Sequence, residues 1–242
     1  MDERPQVILI EGSDGGIATL AERLRSFDVE PTRVANLESA EALVAAQHQP
    51  FCVVMIPTDY HHDKLKKVLK PIARASAHSE VMFVSVGRHP TPAQRKTLRA
   101  AGLKLALWEP YDEGTLRFQL NRALGGDRDH HQRRTLRVPT YLLARVFVGG
   151  RTKDAVVYSL SEGGAFLETQ RASMEGANVE VELRLPTGSI RTEGQVLFSN
   201  VPGNLQRPNL PLGMGLQFTT LSSADAKQIK EFVNARYAEL NV

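Results

Sequence analysis

The chain has 242 residues, 42% hydrophobic and 24% charged, a length that fits one large domain or two small ones. Its 30 Lys+Arg against 27 Asp+Glu leave a net charge of +3, too balanced for a protein whose whole surface grips nucleic acid. The single cysteine, Cys52, excludes an intrachain disulfide and a Cys-rich zinc site. No apolar run approaches the ~18 residues of a membrane span. The segment Met1–Pro5 lacks the basic start and long apolar stretch of a secretion signal, so a reducing cytoplasmic setting is expected.

The first half alternates strand and helix signals. Val7–Ile10 is a short continuous apolar run, as in a strand buried on both faces. A turn at 13–16 leads into Ile17–Phe27, with apolar residues at helical spacing. Arg33–Ala35 is a weak second strand and Ser39–Gln47 a second helix. Cys52–Ile56 is a third strand, ended by Pro57, and Leu65–Ser76 a helix. Val81–Val86 is a fourth strand, and Thr91–Ala101 a helix with Pro92 in its first turn. Leu103–Trp108 and Asp112–Leu124 complete the set. Five strands alternating with five helices predict an α/β doubly wound five-stranded parallel sheet.

Gly125 and Gly126, followed by polar residues, mark a boundary. The expected division is 1–124, a linker 125–132, and a second domain 133–242. That second part reads as strands at Tyr141–Val148, Lys153–Ser159, Gly164–Thr169, Asn178–Leu185, Ile190–Asn200 and Leu212–Phe218, separated by glycine turns. Such spacing predicts a small antiparallel β-barrel. Ser222–Asp225 then caps a terminal amphipathic helix running through Leu240.

The charge is unevenly placed. Residues 1–124 carry +1 and residues 139–242 are neutral. Residues 125–138 carry +2, with Arg128, Arg133, Arg134 and Arg137 against Asp127 and Asp129. This stretch is either a solvated basic linker or an anion-binding segment, since guanidinium forks match phosphate geometry.

Arg133-Arg-Thr-Leu-Arg137, Ser159-Leu-Ser-Glu-Gly-Gly164 and Leu212-Gly-Met-Gly-Leu-Gln-Phe218 occur in that order. Together they resemble the PilZ domain, a bacterial receptor for cyclic diguanylate (c-di-GMP), over about residues 130–240. The resemblance implies that Arg133 and Arg137 clamp phosphates and guanine edges, with Arg134 stacking or serving solubility. It also implies that Ser161 offers a hydroxyl, that Ser159 contacts guanine, and that Gly164 allows close backbone approach. Ser159 departs from the family's Asp or Asn. A hydroxyl in place of a carboxylate or amide costs about 1–3 kcal/mol of ligand contact.

The first half resembles a response-regulator receiver domain, on Gln49–Pro57 and Trp108-Glu-Pro-Tyr111. The family's phosphoacceptor position falls on Ile56 and its lysine position on Glu109. Of the acidic pair after the first strand, Glu11 remains beside Gly12, and Ser85 or Val86 takes the hydroxyl position. The resemblance therefore implies a pseudo-receiver without aspartyl phosphorylation, Asp59 being no substitute. The family docks partners or dimerises through the fourth helix, fifth strand and fifth helix, here Thr91–Ala101 and Leu103–Leu124. An unknown signalling protein or a second copy is the expected partner.

His61-His-Asp63 and His130-His131 lack further ligands nearby, so no metal is expected. Residues 12–16 match neither dinucleotide nor Walker phosphate loops. Cys52 reads as core. No Ser–His–Asp or paired-carboxylate arrangement points to an enzyme, and no recognition helix carries a basic face for DNA. The residues thus support a c-di-GMP sensor that signals through its pseudo-receiver. The alternative is a ligand-independent scaffold with both domains degenerate.

Overall fold

The computed structural model describes residues 6–12, 16–46, 53–60, 65–75, 81–125, 135–207 and 209–242. The chain forms two compact units, residues 1–132 with 239–242, and residues 133–238. The expected second domain ran to Val242; in the structure the last four residues belong to the first unit. Of the expected linker, only Gly125 is among the described residues.

In the first unit, strands β1 (Gln6–Ile10), β2 (Glu30–Val34), β3 (Val53–Pro57), β4 (Met82–Gly87) and β5 (Leu105–Trp108) form a sheet in the order β2-β1-β3-β4-β5. Every pairing is parallel. Helices α1 (Gly16–Arg25), α2 (Leu37–Ala46), α3 (Leu65–Ala75), α4 (Pro92–Ala101) and α5 (Glu113–Leu124) alternate with the strands. Because side chains alternate across a strand, β1 feeds two cores. Val7 and Leu9 pack with residues of α1 and α5. Ile8 and Ile10 pack with residues of α2, α3 and α4. Burial on both faces explains the continuous apolar runs.

β2 begins at Glu30, earlier than the predicted Arg33. It is an edge strand that buries only Pro31, so no apolar run marks its start. α4 opens on a capping box in which Thr91 and Gln94 exchange bonds, and closes on Gly102 at φ 102°. Residues 240–242 lie antiparallel beside β5, with Leu105 opposite Asn241.

In the second unit the strands are β6 (Arg137–Val148), β7 (Arg151–Ser161), β8 (Gly164–Glu168), β9 (Asn178–Leu185), β10 (Gly188–Val201), β11 (Asn204–Leu205) and β12 (Gly213–Phe218). All pairings are antiparallel, and the β9–β10 pairing closes six strands into a barrel, with β11 folded back on β10. Closure removes the unpaired edges that an open sheet would expose. Helix α6 (Ser223–Glu239) follows, capped by the Ser222 hydroxyl, which accepts from the Asp225 amide at 3.1 Å.

β6 and β7 each extend beyond their predicted ends, to Arg137 and Ser161. Pairing continues there through register shifts between Pro139 and Leu142 and between Val157 and Ser159. The Thr140 hydroxyl donates to the Val157 carbonyl at this irregularity. Such bulges bend the ladder and re-aim side chains, often beside a site.

Candidate functional site

The register of the barrel sorts the motif residues onto one face. Directly paired residues share a face, and successive rows alternate. Val138, Leu160, Ala165, Leu216 and Val196 form one row, all essentially inaccessible, and this row belongs to the barrel interior. The rows on either side of it face outward. One runs Arg137–Ser161–Gly164–Gln217, and the other Pro139–Ser159–Phe166–Gly215–Phe198. Arg137, Ser159, Ser161 and Gly164 are therefore brought together on one outer shelf. Arg133 and Arg134 lie outside the described residues.

Arg137 is half-buried at the shelf's edge. Both serines are buried, at 2% exposure for Ser159 and 3% for Ser161. The Ser161 hydroxyl donates to the Gly164 carbonyl at 3.0 Å and so closes the β7–β8 turn. Helix α6 braces the shelf from two directions. Arg236 Nε donates to the Pro139 carbonyl at 3.4 Å, and Lys230 pairs with Glu162 at 3.8 Å.

The glycines have specific steric duties. A β-carbon on Gly164 would collide with the carbonyl of Leu216, and one on Gly213 with the carbonyl of Leu167. At Gly164 the neighbouring strand itself approaches too closely for a side chain. Gly215 leaves room for the ring of Phe198, which stacks on Phe166 with centroids 5.8 Å apart. Tyr158 meets Phe166 edge-on at 5.9 Å. This aromatic cluster sits on the outer face, beside Ser159.

Sequence reasoning missed what covers that cluster. Asn200, 1% exposed, accepts from the Arg207 amide at 2.9 Å and donates to the carbonyls of Arg207, Leu210 and Pro211. The loop it ties down places the Arg207 guanidinium 5.6 Å from the centre of the Phe198 ring. A lone Asn near the end of a strand carries no signal of this role.

The receiver-like unit has a different character at the corresponding strand ends. Ile56 is fully buried, in the same core as Ile8, Leu37 and Leu65. Glu11 is engaged by Arg33 at 2.7 Å. The Ser85 hydroxyl is buried and accepts from Trp108 Nε1 at 3.1 Å. Thr58, Asp59, Gly87, Arg88, Glu109 and Tyr111 border a cavity of about 20 Å³. Burial raises the Tyr111 pKa, against the opposing pull of Arg23, whose guanidinium lies 4.7 Å from the ring centre.

The face of α4, β5 and α5 expected to dock partners carries a segment of the chain itself. Residues 240–242 already occupy the β5 edge. Ala106 N donates to the Leu240 carbonyl at 3.0 Å, and Val242 N to the Lys104 carbonyl at 3.1 Å.

Among the described residues no group of three or more His, Cys, Asp or Glu is placed to hold a metal ion. His61-His-Asp63, His130-His131 and Cys52 lie outside them. No described helix is long and apolar enough to cross a membrane.

The strand order and the closed barrel define the class: a receiver-like unit joined to a six-stranded antiparallel barrel with a terminal helix. Residues 131–235 match the model of the PilZ domain, and the second unit is a PilZ domain. The chain is similar to the Bacillus subtilis inhibitor of motility MotI/DgrA at 18% identity and a TM-score of 0.39, over 44% of this chain and 51% of that one. It is therefore matched to only about half of that protein. Similarity to the PilZ domain of YcgR from Escherichia coli, determined with c-di-GMP, is 19% with a TM-score of 0.36, covering 45% and 93%. A two-component response regulator from Clostridium difficile is 12% identical at a TM-score of 0.42, covering 51% and 98%. No curated protein matches the chain in sequence.

Proposed function

We propose that the chain is a c-di-GMP-binding signalling adaptor of the bacterial cytoplasm. Its PilZ barrel senses the dinucleotide, and its pseudo-receiver carries the signal to a protein partner. The observation that carries this reading is the register. Arg137, Ser159, Ser161 and Gly164 are separated in sequence by up to 27 positions, yet they share one outer shelf beside an exposed arginine. Arginine pairs with phosphate and with the O6/N7 edge of guanine, and c-di-GMP presents two of each. The PilZ resemblance adds Arg133 and Arg134, four and three residues before Arg137 in the sequence, as further guanidinium groups for the ligand. The arginines, Ser159 and Ser161 take the ligand contacts, the Ser161 hydroxyl accepting while it donates to the Gly164 carbonyl. Nothing in this role requires a catalytic group or a metal.

Calorimetric titration with c-di-GMP tests the reading. Saturable heat is expected for the wild type, and its loss in Arg133→Ala/Arg137→Ala with the far-UV spectrum unchanged. No heat from a folded wild type at high micromolar ligand would sink the sensor role. A ligand-independent scaffold is the second reading. The burial of Ser159 and the internal engagement of Ser161 favour it, and that same null titration would select it.

A further inference from the structure

The chain's own residues 240–242 lie along the edge of β5 as an extended segment. Five residues hold the segment by its main chain. Ala106 N and the Lys104 carbonyl pair with Leu240 and Val242 as a strand would. Gln119, 1% exposed, donates through Nε2 to both the Ala106 carbonyl at 2.6 Å and the Leu240 carbonyl at 2.7 Å. Arg95 donates to the Asn241 carbonyl and Arg99 to the Val242 carbonyl, each at 2.7 Å. Arg95 is itself set against the Trp108 ring, 5.2 Å from its centre.

Two sockets read side chains. Leu240 and Val242 are 3% and 4% exposed, and Val242 belongs to the core formed with α2, α3 and α4. Recognition by main-chain bonds with pockets at alternate positions is the pattern of strand addition. The surroundings are cationic. From His89 to Trp108 the sequence carries Arg95, Lys96, Arg99 and Lys104 and no acid, and Glu239 is the acid that precedes the seated segment.

We propose that this edge is a peptide-docking site whose resident strand is displaceable. The partner it fits is an extended protein segment with an acidic residue followed by apolar residues one and three positions later, the pattern Glu239-Leu-Asn-Val242. The resident segment keeps the site closed until such a partner competes. The resident segment makes the pairing of a single short strand, so opening is local.

The test uses the full chain and a fluorescein-labelled peptide of residues 236–242. Leu240→Asp puts a charge into an apolar socket and expels the resident segment. Its affinity for the peptide is expected to exceed the wild type's at least tenfold, and a peptide carrying the same Leu240→Asp change is expected not to bind. Equal or absent binding by both folded chains would overturn the proposal. Hydrogen exchange on the wild type gives an answer even where the variant does not fold. The amides of Ala106 and Val242 are expected to exchange well before those of Val54 and Val84. Exchange only together with those central strands would make the segment a permanent part of the sheet and overturn its displaceability.

Discussion

The carbonyl oxygen of Leu216 occupies the space that a β-carbon on Gly164 would require. The two residues lie on adjacent strands, β12 and β8, and the obstacle is backbone, which cannot swing away as a side chain can. Gly164→Ala is therefore expected to destabilise the barrel by about 1–3 kcal/mol, the range for overpacking a filled interior. Gly163, its neighbour in the same turn, has open space where its β-carbon would go, and Gly163→Ala is expected to change stability little. Paired urea melts of the two variants check this. A Gly164→Ala variant as stable as wild type would show that the glycine of the motif is not held by strand packing.

Ser159 is 2% exposed between Pro139 and Phe166. Ser159→Asp restores the acceptor that the PilZ pattern places there, but it also buries a carboxylate beside an aromatic cluster. Two opposite effects are expected. The free protein loses about 1–3 kcal/mol through desolvation of the new group. The affinity for c-di-GMP rises about tenfold, since the carboxylate accepts from guanine N–H groups. Calorimetry and urea melts on the same preparation separate the two. A stability loss without an affinity gain would show that Ser159 does not face the ligand.

Much of this was legible in the sequence, for reasons particular residues make clear. Val7–Ile10 and Val53–Ile56 are buried on both faces, so their apolar runs announced a parallel sheet. Ile56 and Glu109 lack the chemistry of a phosphoacceptor and its lysine whatever surrounds them. The bulges at Pro139–Leu142 and Val157–Ser159 were hidden, because only pairing reveals them. Leu240 continued the apolar spacing of α6 and so read as helix, whereas its backbone pairs with β5. Asn200 and Gln119 organise buried loops and edges through amides whose partners are distant in the chain, a relation no local pattern encodes.

The receiver-like unit is expected to take no phosphoryl group. The position that the receiver resemblance gives to the acceptor is a core isoleucine, Ile56, and the acid that remains after the first strand, Glu11, is held by Arg33. Incubation with a small phosphodonor such as acetyl phosphate is expected to leave the intact mass unchanged. An added mass of one phosphoryl group, mapped to Asp59, would overturn the pseudo-receiver assignment.

On the barrel surface, Arg191 grips Glu180 with two bonds, at 2.5 and 2.8 Å, while its guanidinium lies 4.6 Å from the centre of the Phe147 ring. The hydrogen bond from Arg191 is the largest influence on Glu180 and holds its carboxyl below the usual carboxylate pKa. A carboxyl whose folded pKa is depressed binds fewer protons in the folded chain than in the unfolded one. Its stabilising contribution is therefore present above the unfolded value, near 4.5. It fades as the pH falls through the folded value. The pair is exposed, so the effect is modest and screened by salt. Thermal melts from pH 3 to pH 7 are expected to show the wild type above Glu180→Gln at neutral pH, the two converging on the acid side. The neutral-pH gap is expected to narrow in 0.5 M NaCl. A gap that stays constant with pH would assign the difference to packing against Phe147 and not to the ion pair.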